Sequence, residues 1–143
     1  MRTFDDQTAA RMETLAALLR RALLKQPARN HTEYSLRLAL YEYRRGNYLD
    51  AMDSAHRSVV NVRNVAQPNA MERVISAMSL QQIGNRSAAQ LELERAKNLI
   101  ETGFDLEFDM WHWRDWVIAR LLVREAEGLV QQTPLPTSDV APR

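Results

Sequence analysis

The chain reads as an all-α protein, an array of about six antiparallel helices, on three observations. The first is a passage that occurs twice: residues 38–59, LALYEYRRGNYLDAMDSAHRSV, and residues 76–97, SAMSLQQIGNRSAAQLELERAK. Gly46 and Gly84 stand at equivalent points, each is followed by Asn, and Ala51 and Ala89 come five residues later, so glycine and alanine alike recur after 38 residues. The second is that apolar residues recur at helical spacing and nowhere alternate as in a strand. The third is punctuation, with Gly, Pro and capping residues separating the apolar runs. A fixed period of this size, helical on both sides of a glycine turn, marks a stacked helical array and a binding scaffold before a catalyst.

The elements follow in order. The first helix is expected over about 5–26, with Met12, Leu15, Leu18, Leu19, Ala22 and Leu23 along one stripe, Thr3 and Asp6 able to form its capping box, and Pro27 closing it. Asn30 with Glu33 starts the second helix, whose apolar positions Leu36, Ala39, Leu40 and Tyr43 lead to Gly46, the residue best able to take a left-handed turn. The third begins near Asn47 and carries Ala51, Met52, Ala55, Val59 and Val62. Pro68 opens the fourth, with Val74, Ile75, Ala77, Met78 and Ile83, and Gly84 ends it. The fifth runs from about Arg86 to Glu101 with Ala89, Leu93, Ala96 and Ile100 inward, and Gly103 stops it before the connector FDLEFD. The sixth, about Met110 to Gln131, places Trp113, Trp116, Ala119, Val123, Ala126 and Val130 on one broad face. Trp113 and Trp116 are expected to plug the open end of the core, and Trp111 points elsewhere. The segment TPLPTSDVAPR holds three prolines and little apolar bulk and reads as a disordered tail.

Composition agrees. With 143 residues, 45% apolar and 26% charged, the chain suits one soluble domain with a real core. The absence of cysteine removes disulfides and thiolate metal sites and favours an intracellular setting. Asp5, Asp6 and Glu13 stand where a signal peptide needs an apolar run, and no stretch reaches membrane-span length, so the expected location is cytoplasmic. Net charge is +1, but the only lysines among the 19 cations are Lys25 and Lys97. Arginine excess serves phosphate or carboxylate recognition, and it also follows from a GC-rich genome without selection for binding.

Around the two glycine turns the chain resembles the tetratricopeptide repeat. In that family helix A ends in glycine, an aromatic often follows two residues later, an alanine packs early in helix B and a second small residue lies further on. Gly46, Tyr48, Ala51 and Ser58 fill these places in the first unit, and Gly84, Arg86, Ala89 and Ala96 in the second, which lacks the aromatic. Leu38 and Ala39 fit the Leu-Gly step of helix A, and Ser76 and Ala77 fit it loosely. ALLKQP, Ala22 to Pro27, looks like the end of a repeat, so the first helix looks like a helix B without its helix A. WHWRDWVIARLLVREAEGLV is similar to the helix that closes such an array at the C-terminus of many bacterial serine/threonine protein kinases. The catalytic signatures of a kinase are missing, so the resemblance implies an interaction tail and not its enzyme.

Chemistry-bearing constellations are scarce. His31, His56 and His112 lie in different segments without the i, i+4 spacing of a zinc pair. Asp105, Glu107, Asp109 and His112 match no calcium loop, and Asp109 serves more simply as an N-cap. The four glycines are too dispersed to cradle a phosphate, and no serine sits in a nucleophile elbow. Arg20, Arg21, Lys25, Arg29, Arg37, Arg44 and Arg45 form a strip able to track phosphates, but interspersed acids, a net charge of +1 and the helix dipole count against nucleic acid as the partner.

The resemblance implies a right-handed α-solenoid within residues 1–131: a lone helix (about 5–26), repeats over about 31–63 and 68–101, and a closing helix (about 110–131), with 132–143 as the tail. No catalytic residue, metal or cofactor is expected. The expected function is a protein-interaction scaffold that holds a peptide or protein surface in the groove between A helices, lined by Glu33, Leu36, Leu40, Tyr43, Arg44, Met71, Val74, Met78, Gln81 and Gln82. In chaperone-binding members of the family, basic and amide side chains of successive A helices clamp a terminal carboxylate. The corresponding positions here include Leu36, Leu40, Val74, Ile75 and Met78, so an apolar segment is the expected occupant. The alternatives are pairing of apolar ends into a homodimer, and a weakly basic nucleic-acid-binding helical domain.

Overall fold

The computed structural model describes residues 6–25, 31–60, 66–106 and 113–132. Among them six α-helices occur and no strand: α1 Asp6–Lys25, α2 His31–Arg45, α3 Tyr48–Val60, α4 Ala66–Gln82, α5 Arg86–Leu106 and α6 Trp113–Gln131. The all-α expectation holds. Thr3, Pro27, Arg29, Asn30, Val62, Glu107, Asp109, Met110, Trp111, His112 and residues 133–143, on which several expectations rest, lie outside the described residues.

The two glycine turns are built alike. Gly46 and Gly84 take φ of 85° and 88°, the left-handed conformation that costs glycine little. The Gly46 amide donates to the Tyr43 carbonyl (3.0 Å) and the Asn47 amide to that of Glu42 (2.9 Å). Gly84 donates to Gln81 (3.2 Å) and Asn85 to Leu80 (2.9 Å). This is the Schellman pattern twice over. The asparagine then opens the next helix, its carbonyl accepting from the amide of Ala51 (2.9 Å) or Ala89 (3.0 Å). The Asn85 side chain also accepts from the Ala88 amide (3.4 Å), which satisfies a donor the helix start leaves open. A Gly-Asn pair therefore closes one helix and starts its antiparallel neighbour in both units.

Small side chains let the helices approach. Ala51 and Ala89, and the second small pair Ser58 and Ala96, are all fully buried. Tyr48, the aromatic after the first turn, packs on Tyr43 with ring centroids 5.7 Å apart. Each helix through α5 packs on its sequence neighbour, α2 also touches α4, and α6 lies against both α4 and α5. The centre is α4, whose residues from Ala70 to Ser79 are buried except Glu72 and Arg73. The main core joins Leu36, Ala39 and Tyr43 to Val74, Ile75 and Met78, to Leu93 and Ile100, and to Trp116 and Ala119. Trp116 is fully enclosed, as expected of a closing helix; the Trp113 side chain lies outside the described residues.

Four expectations need correction. Gly103 does not stop α5, which continues to Leu106 with Gly103 buried inside it; glycine permits a turn without enforcing one. The 38-residue period exceeds the about 34 residues of a tetratricopeptide unit, and the extra length, expected between the pairs near Asn61 to Gln67, falls partly within α4: Gly46 lies 15 residues beyond the start of α2 at His31, and Gly84 lies 18 beyond the start of α4 at Ala66. Pro68 sits in the first turn of α4, where the sequence places it. Ile83 is exposed in the turn, not inward on α4. Finally, α1 buries Ala16 and Leu19 with Met12 and Leu23, against Leu38 and Tyr41 of α2, and leaves Leu15 and Leu18 outside.

Candidate interaction surface

The expected groove lies where α2 and α4 run side by side, and its floor is core. Leu36, Tyr43, Met71, Val74 and Met78 are all buried, the last two completely, so no partner reaches them without opening the bundle. The reason is the position of α4, covered by α2, α3, α5 and α6 together. What remains at the surface is a rim: Glu33, half-buried Leu40, Arg44, half-buried Gln81 and exposed Gln82. Across it Arg44 makes a bidentate pair with Glu125 of α6, one arm at 2.6 Å, which raises the Arg44 pKa. Gln82 hydrogen-bonds Tyr43, whose hydroxyl is pushed above its usual pKa chiefly by burial. The rim is thus tied together at one end by the protein's own side chains.

The basic strip is largely neutralised from within. Arg20 pairs with Glu42 and lies 3.7 Å from Glu13; Arg45 pairs with Glu13; Arg37 pairs with Glu33; Arg44 is taken by Glu125. Glu42 is almost enclosed and also accepts from the Asn47 side chain (2.8 Å), so a buried acid has both partners it needs. Tyr41 donates to Glu13, and this bond first, with the Arg45 and Arg20 charges, holds the Glu13 carboxyl below its ordinary value. These contacts fasten α1 to α2. Of the strip, Arg21 and Lys25 alone among the described residues carry no ion pair.

No group of three or more metal-ligating side chains occurs among the described residues. His31 lies half-buried at the start of α2, and His56 is exposed on α3. No described helix is long and apolar enough to cross a membrane.

Exposed apolar side chains occur as Leu24 on α1, Leu49 and Val60 on α3, Ile83 in the second turn and Leu91 on α5, and as pairs on one face of the two terminal helices. On α1, Leu15 and Leu18 are 49% and 58% exposed; on α6, Val117 and Leu121 are 45% and 58% exposed. Each pair sits at i, i+3 or i+4 spacing and so forms one patch. The α1 stripe was legible in the sequence as apolar, but its width concealed that α2 covers half of it. Comparison of the chain with protein-family models, curated proteins and solved structures found no match.

Proposed function

We propose that this chain is a protein-interaction module, a tetratricopeptide-like right-handed helical array that works by holding a protein or peptide surface and not by catalysis. The observation that carries this reading is the duplication of one hairpin, with the same turn hydrogen bonds at Gly46 and Gly84 and the same buried small residues after them. Stacked hairpins of this kind spend their sequence on a rigid surface, and rigid surfaces suit recognition. The similarity of residues 111–130 to the closing helix of kinase-associated arrays extends the reading to a regulatory segment of a larger protein.

The partner's place follows from burial. With Leu36, Tyr43, Val74 and Met78 inside the core, the groove rim keeps only half-buried Leu40 as an apolar contact, whereas α1 and α6 each expose a pair of apolar side chains on one face. Affinity capture from the host tests the reading with the parent chain and three variants checked by circular dichroism: Leu18→Glu, Leu121→Glu and Leu40→Glu. The expected result is a retained protein lost with one of the end variants and kept by Leu40→Glu. A retained set that none of the three alters would sink it.

A further inference from the structure

The outer face of α1 differs from an ordinary solvated face in its charge. Arg11 lies one turn before Leu15, and Arg21 and Lys25 follow Leu18 at i+3 and i+7, so three cations flank the two exposed leucines. None of the three has an ion pair among the described residues, whereas Arg20 on the same helix is paired to Glu42. The acids of α1 do not serve this face: Glu13 points to Tyr41 and Arg45, and Asp6 lies in the first turn, off the stripe. The helix therefore presents leucine inside a ring of uncompensated positive charge.

That charge selects the occupant. Two copies joined through α1 would set Arg11, Arg21 and Lys25 against their own equivalents, and like charges across an interface oppose association. Stacking α1 of one copy on α6 of another is no better. Val117 and Leu121 are flanked by Arg114 and Arg124, while Glu125 and Glu127 of α6 are held by Arg44 and Lys97. Two leucines are also far less than the about 800 Å² per partner that a stable dimer buries. An anionic membrane is disfavoured because α1 carries no aromatic residue on this face and its other apolar half is docked on α2.

Resting on the interaction-module reading, we infer that the outer face of α1 docks an acidic amphipathic helix of another protein, its apolar stripe on Leu15 and Leu18 and its Asp or Glu side chains beside Arg11, Arg21 and Lys25. Burial at the leucines gives affinity, and the cations set orientation and speed encounter. The complex is weak to moderate, and salt loosens it.

The test is a fluorescence-anisotropy titration of the full chain with a synthetic helix of about 18 residues, leucine at i, i+3, i+4 and i+7 and glutamate on both flanks. A peptide with lysine in place of glutamate and vesicles of anionic phospholipid serve as controls. The acidic peptide should bind, the lysine peptide should not, and Leu18→Ser or the pair Arg11→Glu and Arg21→Glu should each weaken binding about tenfold or more with the helical spectrum unchanged. Absence of binding, equal binding of both peptides, or stronger capture by vesicles than by peptide overturns the inference. So does concentration-dependent dimerisation lost with Leu18→Ser. Binding that survives the α1 changes and is lost with Leu40→Glu also overturns it, yet leaves the interaction-module reading standing.

Discussion

Single residues carry opposite signs of stability in this chain. Gly84 holds a left-handed turn with nothing within 4 Å of where a Cβ would lie, so Gly84→Ala meets backbone strain alone and should cost about 1 to 2 kcal/mol. Gly128 has equal space inside α6 but helical backbone, and Gly128→Ala should stabilise by about 0.5 to 1 kcal/mol. Thermal melts of the two variants should move in opposite directions; a shift of the same sign would misplace one glycine. Ala89 is fully buried in the first turn of α5, so Ala89→Leu should cost about 1 to 3 kcal/mol while Gln90→Leu, on the exposed side, leaves the melt unchanged. Glu72 is the residue with a pH signature. Burial above all raises its pKa from the ordinary 4.5, against the lowering pull of Arg73 and His56, so its charged form opposes folding. That cost is complete well above its folded value and fades as pH falls towards 4.5. Glu72→Gln should therefore raise the melting temperature at pH 7 and lose its advantage near pH 4; a gain that persists in acid would show that the charge is not the cause.

At the scale of the helix, α1 stands apart because it packs to any extent on α2 alone, whereas α4 is covered by four neighbours. Its polar fastening to α2 is Glu13 with Tyr41 and Arg45, and Arg20 with Glu42. The pKa of Glu13 is lowered in the folded state, so its contribution is present above the ordinary value of 4.5 and is lost as pH falls through the depressed one. Hydrogen exchange should show α1 opening before α4, and earlier still in acid or with Tyr41→Phe. Equal protection of α1 and α4 would contradict this packing. The helix order and both turns were legible because Gly, Asn and Ala repeat together, a pattern that chance and composition do not reproduce. The end of α5 was not, since Gly103 is as compatible with a buried helix interior as with a stop. Nor was the covered half of the α1 stripe, because periodicity reports that a face is apolar and not which neighbour covers it.

Across the whole molecule, the same limit explains the groove. Leu36, Val74 and Met78 read alike as groove floor or as core, and only the placement of α4 beneath α2 and α6 decides for core. The surface that combines exposed leucines with unpaired cations among the described residues is then the outer face of α1, with Arg20, Arg37, Arg44 and Arg45 of the cationic strip spent on internal pairs. Duplex DNA should accordingly show no measurable binding at about 0.15 M salt, where only a few uncompensated cations cannot hold a phosphate backbone. The most direct measurement is the amide NMR spectrum of the isotope-labelled chain during titration with the acidic amphipathic helix. Shifts should concentrate between Arg11 and Lys25 on the outer face of α1. Shifts centred instead on Glu33, Leu40, Arg44 and Gln82 would contradict it, placing the partner on the rim between α2 and α4.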